Sequence, residues 1–395
     1  PGRSRGHRLS PEEIRLMAVA FYDHARIYKR RKAEIDAAIL GVLESGRLDW
    51  GDHVPAFEAE FAAFVGGAHA VTVNSGTAAI KIALLALGIG PGDEVITVSN
   101  TDIGTISAIH FVGAKCVWVD VDPHTLCMDV GQAEAAITQH TRALLPVDMF
   151  GHPAALVDLA ALARAKGLAV VEDACLALGA EIDGRKVGTF ADVTCFSFAP
   201  TKHLGSIGSG GACVVADATL AERIRKISSY GQDRARHRAI GATPPPLHHE
   251  TEGLNERMDE IQAAVLRVKL ADVPASLDAR NRQAALYAVA IGDAAEVPTT
   301  RPNVRHAFRN YVIHHDSRDA LREGLKRRGI GTALSYAPPM HLQPIFAGKG
   351  FREGAFPATE RSCRRLLGLP IGPHLDDGQI ALFADAVRAE ASMLR

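Results

Sequence analysis

The chain has 395 residues, 47% hydrophobic and 23% charged, which suffices for a large core and, at roughly 150 residues per domain, for two domains or one with an appendage. Its 44 Lys and Arg against 45 Asp and Glu leave a formal charge of −1, which removes the simplest argument for a nucleic-acid partner. No run of about 18 uninterrupted apolar residues marks a membrane span, no signal peptide is expected, and six singly spaced cysteines without a C-x-x-C pair fit a reducing cytoplasm.

The basic, Gly-rich start at 1–8 reads as a frayed arm. Ser10-Pro11-Glu12-Glu13 then supplies an N-cap, a proline at the first helical position and an acidic first turn, so a helix is predicted to begin there. From 70 to 180, short β-branched runs alternate with helical segments: strands at 70–73, 94–98, 115–119, 143–146 and 168–172, helices at 77–87, 104–111, 131–137 and 154–166. Such alternation predicts a mostly parallel sheet covered on both faces. Two more strands, 193–198 and 211–215, bracket a Gly- and Ser-rich segment that holds Lys202. The stretch 230–252, with its basic residues, Pro244-Pro245-Pro246 and His248-His249, reads as a long surface loop. Helices at 259–270 and 275–290 follow. A strand at 311–314, a helix at 317–328, another strand, a loop at 337–352 and a last helix at 376–393 form a smaller α+β unit.

Two strand ends carry the chemistry. Val170-Val171-Glu172-Asp173 closes a strand on an acid, and 195–202 runs from a strand into the loop bearing Lys202. Ligands of open α/β sheets bind beyond the carboxyl ends of the strands, so both side chains are expected in one crevice. An acid and a lysine there suit pyridoxal phosphate (PLP): the lysine forms a Schiff base with the aldehyde, and the acid keeps the pyridine nitrogen protonated. Between a strand and a helix, Asn74-Ser75-Gly76-Thr77-Ala78-Ala79 offers the amides of Gly76, Thr77 and Ala78 and a hydroxyl to a phosphate. Ser197, before Lys202, adds a second hydroxyl. Taken singly, each of these is an ordinary turn acid, surface lysine or helix cap; their order and sheet context set them apart. The 17 histidines show no ligand spacing, so no metal is expected.

Eight motifs in order resemble the DegT/StrS-type sugar aminotransferases over roughly residues 37–388. They are S-G-R-L-D-W-G (45–51), F-E-A-E-F-A-A-F-V-G (57–66), N-S-G-T-A-A (74–79), G-P-G-D-E-V-I (90–96), V-V-E-D-A (170–174), C-F-S-F-A-P-T-K-H-L-G (195–205), G-L-N-E-R-M-D-E-I-Q-A-A (253–264) and M-H-L-Q-P (340–344). The resemblance implies an α/β, fold-type I PLP-dependent transferase: an N-terminal arm and helix (1–30), a large domain with a mostly parallel seven-stranded sheet between helices (31–270), and a small α+β C-terminal domain (271–395). It implies Lys202 as the Schiff-base lysine and proton-moving base, Asp173 as partner of the pyridine nitrogen, and Gly76, Thr77 and Ser197 at the phosphate. Asn255 would serve the other subunit's phosphate, which makes a homodimer with shared sites the minimal unit. The implied reaction is ping-pong, in which an amino acid, L-glutamate, turns PLP into pyridoxamine phosphate (PMP), which then aminates a keto-sugar or keto-cyclitol, nucleotide-linked. Trp50, Arg234, Tyr336 and His341 lie in segments that border the active site in relatives and are candidate substrate residues; packing, a solvated charge and structural hydrogen bonds are their plainer readings.

Three positions around the cofactor depart from the family pattern. Asp102 stands where an aromatic ring stacks on PLP, Leu176 where a glutamine faces the phenolic oxygen (with Leu178 in place of a histidine), and Asp148 where a histidine follows P-V. They leave open a non-transamination reaction, elimination or retro-aldol, and a scaffold that has lost catalysis, although a decayed site would need neither Lys202 nor Asp173. Arg234, Arg236 and Arg238 in the 230–252 loop suit a diphosphate.

Overall fold

The computed structural model describes residues 21–232 and 249–394. The helix start expected at Ser10 and the loop arginines, Arg234 among them, lie outside the described residues. Among the described residues three helices come first: α1 (His24–Arg30), α2 (Lys32–Ser45) and α3 (His53–Val65). Then strand and helix alternate through β1 (His69–Val73), α4 (Gly76–Ala86), β2 (Glu94–Val98), α5 (Ile103–Phe111), β3 (Lys115–Val119), α6 (Val130–Ala135), β4 (Thr141–Leu144), α7 (Leu156–Lys166) and β5 (Ala169–Asp173). The short pair β6 (Glu181–Ile182) and β7 (Arg185–Lys186) leads to β8 (Val193–Ser197), β9 (Gly211–Val215), α8 (Ala218–Ser228), α9 (Glu260–Leu270) and α10 (Val273–Ile291). The chain ends with β10 (Val304–Arg305), β11 (Tyr311–His314), α11 (Arg318–Arg327), α12 (Pro357–Arg365), β12 (Leu366–Leu369) and α13 (Asp377–Ser392).

Seven strands form one sheet in the order β1-β9-β8-β5-β4-β2-β3. Only β9 runs against its neighbours β8 and β1; the pairs from β8 to β3 are parallel. Parallel pairs need crossover helices, which cover both faces, and strands buried on both faces are apolar at every position rather than at alternate ones. β2 and β9 are buried along their whole length. At the centre, β5 and β8 pair with Asp173 opposite Cys195, so the two strand ends carrying the acid and the lysine loop emerge side by side.

Aromatic packing holds that centre. Phe57 and Phe61 of α3 meet Phe196 and Phe198 edge to face, with ring centroids 5.0 to 5.4 Å apart. Such pairs add about 0.5–1.5 kcal/mol each beyond burial and anchor the chain just before the Lys202 loop. A second apolar cluster fills the C-terminal unit, where Tyr287 of α10 stacks on Tyr311 of β11 at 4.8 Å beside Leu321, Leu325 and Phe383. The helix α10 joins the two clusters: Val273 and Leu277 sit in the large core, Ala284, Tyr287 and Ile291 in the small one.

Candidate active site

Three segments that are distant in sequence touch at the carboxyl edge of the sheet. A Cβ on Gly76 would lie 2.7 Å from Cys175 Sγ and 2.8 Å from Ser197 Cβ, so any larger residue would have to push these atoms aside. Gly76 thus opens a cradle between the start of α4, the turn after β5 and the end of β8. Ser75 caps α4 by accepting from the Ala78 amide at 3.1 Å. That bond corrects the expectation for Ala78: its amide is already spent on the cap. The Gly76 and Thr77 amides and the Thr77 hydroxyl have no partner among the described residues. The Ser197 oxygen accepts from the Ala199 amide at 3.3 Å and keeps its own hydrogen. Two amides and two hydroxyls at a helix N-terminus are the donor set a phosphate requires, so the residues present fit the PLP phosphate.

Asp173 is buried, and each oxygen is engaged. Oδ2 accepts from the Thr105 hydroxyl at 2.7 Å, Oδ1 from the Cys175 amide at 3.2 Å, and Thr105 in turn contacts the Thr101 hydroxyl at 2.7 Å. A carboxylate fixed in this way presents its remaining lone pairs in one direction, as a pyridine-nitrogen partner must. Behind it, Glu172 and Asp148 are both fully buried. Glu172 accepts from Thr194 at 2.6 Å and Asp148 from the Ala154 amide at 2.8 Å, while Glu172 Oε1 and Asp148 Oδ2 meet no other N–H or O–H among the described residues. Burial raises both, Glu172 to about 7 and Asp148 well above the usual carboxylate range. One proton, carried by Asp148 and shared with Glu172, satisfies both orphaned oxygens.

Lys202 is half-buried in the loop after β8, where its amide donates to Ala199 O at 2.8 Å. It lines a cavity of about 610 Å³ together with Tyr22, His203, Arg280 and His374. His203 Nε2 donates to Ala307 O at 2.9 Å; burial, then Arg280 and Arg309, hold its imidazole well below the ordinary histidine value and hence neutral.

The departures from the family pattern have local structural roles. Asp102 is exposed and caps α5, accepting from the Gly104 amide at 2.9 Å, while its charge also bears on Cys175 and Tyr336. Leu176 and Leu178 are buried in the main apolar cluster and offer no polar contact. Among the substrate candidates, Tyr336 is half-buried with its ring 5.8 Å from that of Phe150, and burial, then Asp102, holds its hydroxyl above the usual tyrosine range. Its backbone is left-handed (φ 59°), as are those of Phe150 (57°) and Phe308 (45°), costly for bulky residues and concentrated at this wall. His341 is enclosed instead, accepting from Ser99 Oγ at 2.6 Å and donating to Glu360 at 3.0 Å, which leaves no ring nitrogen for a ligand. Trp50 is half-buried in the turn joined to the segment before α9 by an Asp49–Arg257 ion pair of 3.1 Å. Asn255 is exposed beside Glu256, whose carbonyl accepts from the Asn74 amide at 2.8 Å.

Sequence reasoning missed Thr105, Cys175 and Arg309. A Thr101–Thr105 pair at i, i+4 across a helix start was a usable signal for the first, and the Asp173-x-Cys175 turn for the amide of the second; Arg309 had no local signal.

The profile of the DegT/DnrJ/EryC1/StrS aminotransferase family matches residues 29–388. The dTDP-3-amino-3,4,6-trideoxy-alpha-D-glucose transaminase of Streptomyces venezuelae is 43% identical over 94% of this chain and 95% of its own length. The UDP-N-acetyl-3-dehydro-alpha-D-glucosamine 3-aminotransferase of Acidithiobacillus ferrooxidans is 38% identical over 94% and 97%. Among solved structures, S. venezuelae DesV in complex with a ketimine intermediate superposes with a TM-score of 0.90 over 95% of this chain and 98% of that one. NtdA of Bacillus subtilis, solved with bound PMP, superposes at 0.83 with 26% identity, over 96% of this chain and 85% of that one.

Proposed function

The chain belongs to the DegT/DnrJ/EryC1/StrS family and is a PLP-dependent aminotransferase with PMP as the alternate cofactor form; from that premise we propose that it carries an amino group from an amino acid, L-glutamate, to a keto-sugar linked to a nucleotide. The observation that carries this reading is the cradle in which Gly76, Ser197 and the turn after Asp173 meet beside the Lys202 loop. The relatives at 43% and 38% identity, both named for nucleotide-sugar substrates, support the substrate class.

When bound, PLP supplies an aldehyde that takes up the amino group and a ring that draws electrons from the adjoining carbon. The Gly76 and Thr77 amides with the Thr77 and Ser197 hydroxyls hold its phosphate at the positive end of α4. Asp173, locked by Thr105 and Cys175, keeps a proton at the pyridine nitrogen. Lys202 Nζ holds the cofactor between turnovers and, once released, moves the proton at the donor's α-carbon. Asn255 is exposed on the single chain, as are Leu40, Leu43 and Leu48 on and after α2, which supports a homodimer in which Asn255 completes the neighbour's phosphate site. Six free thiols fit a cytoplasmic enzyme.

The test is the donor half-reaction. L-Glutamate added alone to the PLP-loaded protein is expected to remove the visible absorbance of the lysine-bound cofactor and release one equivalent of 2-oxoglutarate. Turnover of a substrate without any amino donor would overturn the reading in favour of elimination or retro-aldol chemistry.

A further inference from the structure

Asp148 and Glu172 are fully buried, and each has one oxygen that is satisfied and one left over. Asp148 Oδ1 accepts from the Ala154 amide at 2.8 Å and Glu172 Oε2 from the Thr194 hydroxyl at 2.6 Å, while Asp148 Oδ2 and Glu172 Oε1 have no other donor among the described residues. The two side chains lie within hydrogen-bonding reach of each other. Buried carboxylates in such contact cannot both ionise without strong repulsion, so a proton stands between them. Asp148 is the acid that keeps it. Burial, then the charge of Glu172, holds Asp148 well above the usual carboxylate range, whereas burial raises Glu172 only to about 7, because Thr194 and Asp148 donate to its ionised form. A histidine at this place, the residue of the family pattern, brings an N–H of its own; an aspartate donates to Glu172 only by staying protonated.

The pair stands directly behind Asp173. Glu172 precedes it on β5, the Asp148 amide donates to the Asp173 carbonyl at 3.1 Å, and the Asp173 amide donates to Pro146 O at 2.9 Å. The strand end that carries Asp173 is thus stitched to the segment that carries Asp148. The titratable groups around the pair leave a charge on Glu172 standing. Asp173 adds one of the same sign. The Cys127 thiol beside Asp148 is kept protonated by burial, as is Cys195, which lies opposite Asp173 on β8. His152, in the turn after Asp148, is lowered by burial to about 4 and is neutral, and the Gly188 backbone and the Thr194 hydroxyl carry no charge. Arg301 bears on Cys127 and His152. When Glu172 ionises, a second negative charge therefore appears behind the one that faces the pyridine nitrogen, and a charge in such an interior raises the proton affinity of the groups near it.

We propose that Asp148 and Glu172 are positioning residues for the cofactor: Asp148 keeps its proton and donates it to Glu172, and Glu172 then adds a negative charge behind Asp173 that keeps the ring and the nitrogen bound to Lys202 protonated to higher pH. This rests on the reading of Asp173 and Lys202 given above, since the pair acts through them.

The experiment follows the visible absorbance of the PLP-loaded protein from pH 5 to pH 10 in wild type, Glu172→Gln, Asp148→Asn and Asp148→Leu. The band reports the proton on the nitrogen that joins Lys202 to the cofactor, and the midpoint of its loss at high pH is set by the charge around the ring. Glu172→Gln never adds the charge and is expected to lower that midpoint by about one pH unit. Asp148→Leu donates nothing to Glu172 and is expected to follow Glu172→Gln, whereas Asp148→Asn still donates and is expected to follow wild type. A merely structural pair would change Tm and leave the midpoint in place, so equal midpoints in wild type and Glu172→Gln would overturn the proposal; wild-type behaviour in Asp148→Leu would overturn the part of Asp148. Should Asp148→Leu fail to fold, infrared spectra of the apoprotein at pH 8 carry that part of the test: the carbonyl band of a buried protonated carboxyl is expected in wild type and not in Asp148→Asn, and its absence from wild type would overturn the proposal. A visible band that never forms would sink the reading of Lys202 and the proposal with it, whereas a band that forms with an unmoved midpoint sinks the proposal alone.

Discussion

The two sides of the Lys202 crevice satisfy their polar groups in opposite ways. On the sheet side, Asp173 is held by Thr105 and Cys175, Glu172 and Asp148 share a proton, and Ser75 caps the helix that forms the cradle. On the C-terminal side, Arg309 Nε, Arg280 Nε and both ring nitrogens of His374 are buried without partners among the described residues. A group already satisfied by its own fold is positioned before any ligand binds; a buried group left unsatisfied gains most from a ligand. The sheet side is therefore suited to a resident cofactor and the opposite side to a substrate that comes and goes.

Substitutions on the sheet side sharpen the contrast, the largest effect coming first. Lys202→Ala removes the Schiff base and the proton carrier together, so turnover is expected to fall by about 10³-fold or more, with loss of the visible absorbance; steady-state kinetics and a spectrum read both. The Glu172–Asp148 pair predicts a pH profile of stability. Glu172 is raised from 4.5 to about 7, so its stabilising contribution is complete below about 4.5, declines through that window and is gone above about 7. Unfolding free energies at pH 5 and pH 8 should differ by an amount on the order of 1–3 kcal/mol, less stable at pH 8, and Glu172→Gln, which removes the buried titrating group, should flatten the difference.

Gly76→Ala places a methyl against Cys175 and Ser197, and overpacking of this kind costs about 1–3 kcal/mol. Weaker PLP affinity on reconstitution of the apoenzyme, with a smaller change in Tm, is the expected outcome; unchanged affinity would break the case for the cradle. Thr105→Val deletes one hydrogen bond to a charged acceptor, about 1.5 kcal/mol, and should lower kcat several-fold with little effect on the KM for the donor, Thr105→Ser restoring it. An equal rise in donor KM would mean that the two sides are not separable.

Much of this was legible one strand at a time. The apolar runs ending at Glu172-Asp173 and Ser197 name their own burial, and the Ser75-Gly76-Thr77 turn names a helix start, because these signals are local. The helix α3 was visible only as a motif string, although Phe57, Phe61 and Val65 fall at i, i+4 and i+8, and α2 lies ahead of every motif except for its last residue, Ser45. Asp102 shows what alignment against a family position omits: its carboxylate accepts from the Gly104 amide, two residues on, and so caps a helix as well as bearing on the site. Ala78 fails for a related reason, since a cap and a phosphate compete for one amide and Ser75 takes it.

By itself, then, the amino-acid order determined the alternation of strands and helices, the place of Lys202 and Asp173 at neighbouring strand ends, and the turn that receives a phosphate. All of these follow from periodicity and backbone geometry within a dozen residues. Which polar groups are satisfied and which are left waiting was decided only in the folded chain. Asp148 meets Glu172, Thr105 meets Asp173 and Arg309 meets no acid among the described residues because the sheet order brings together segments 24 to more than 100 residues apart, and no local pattern records a partner at that distance.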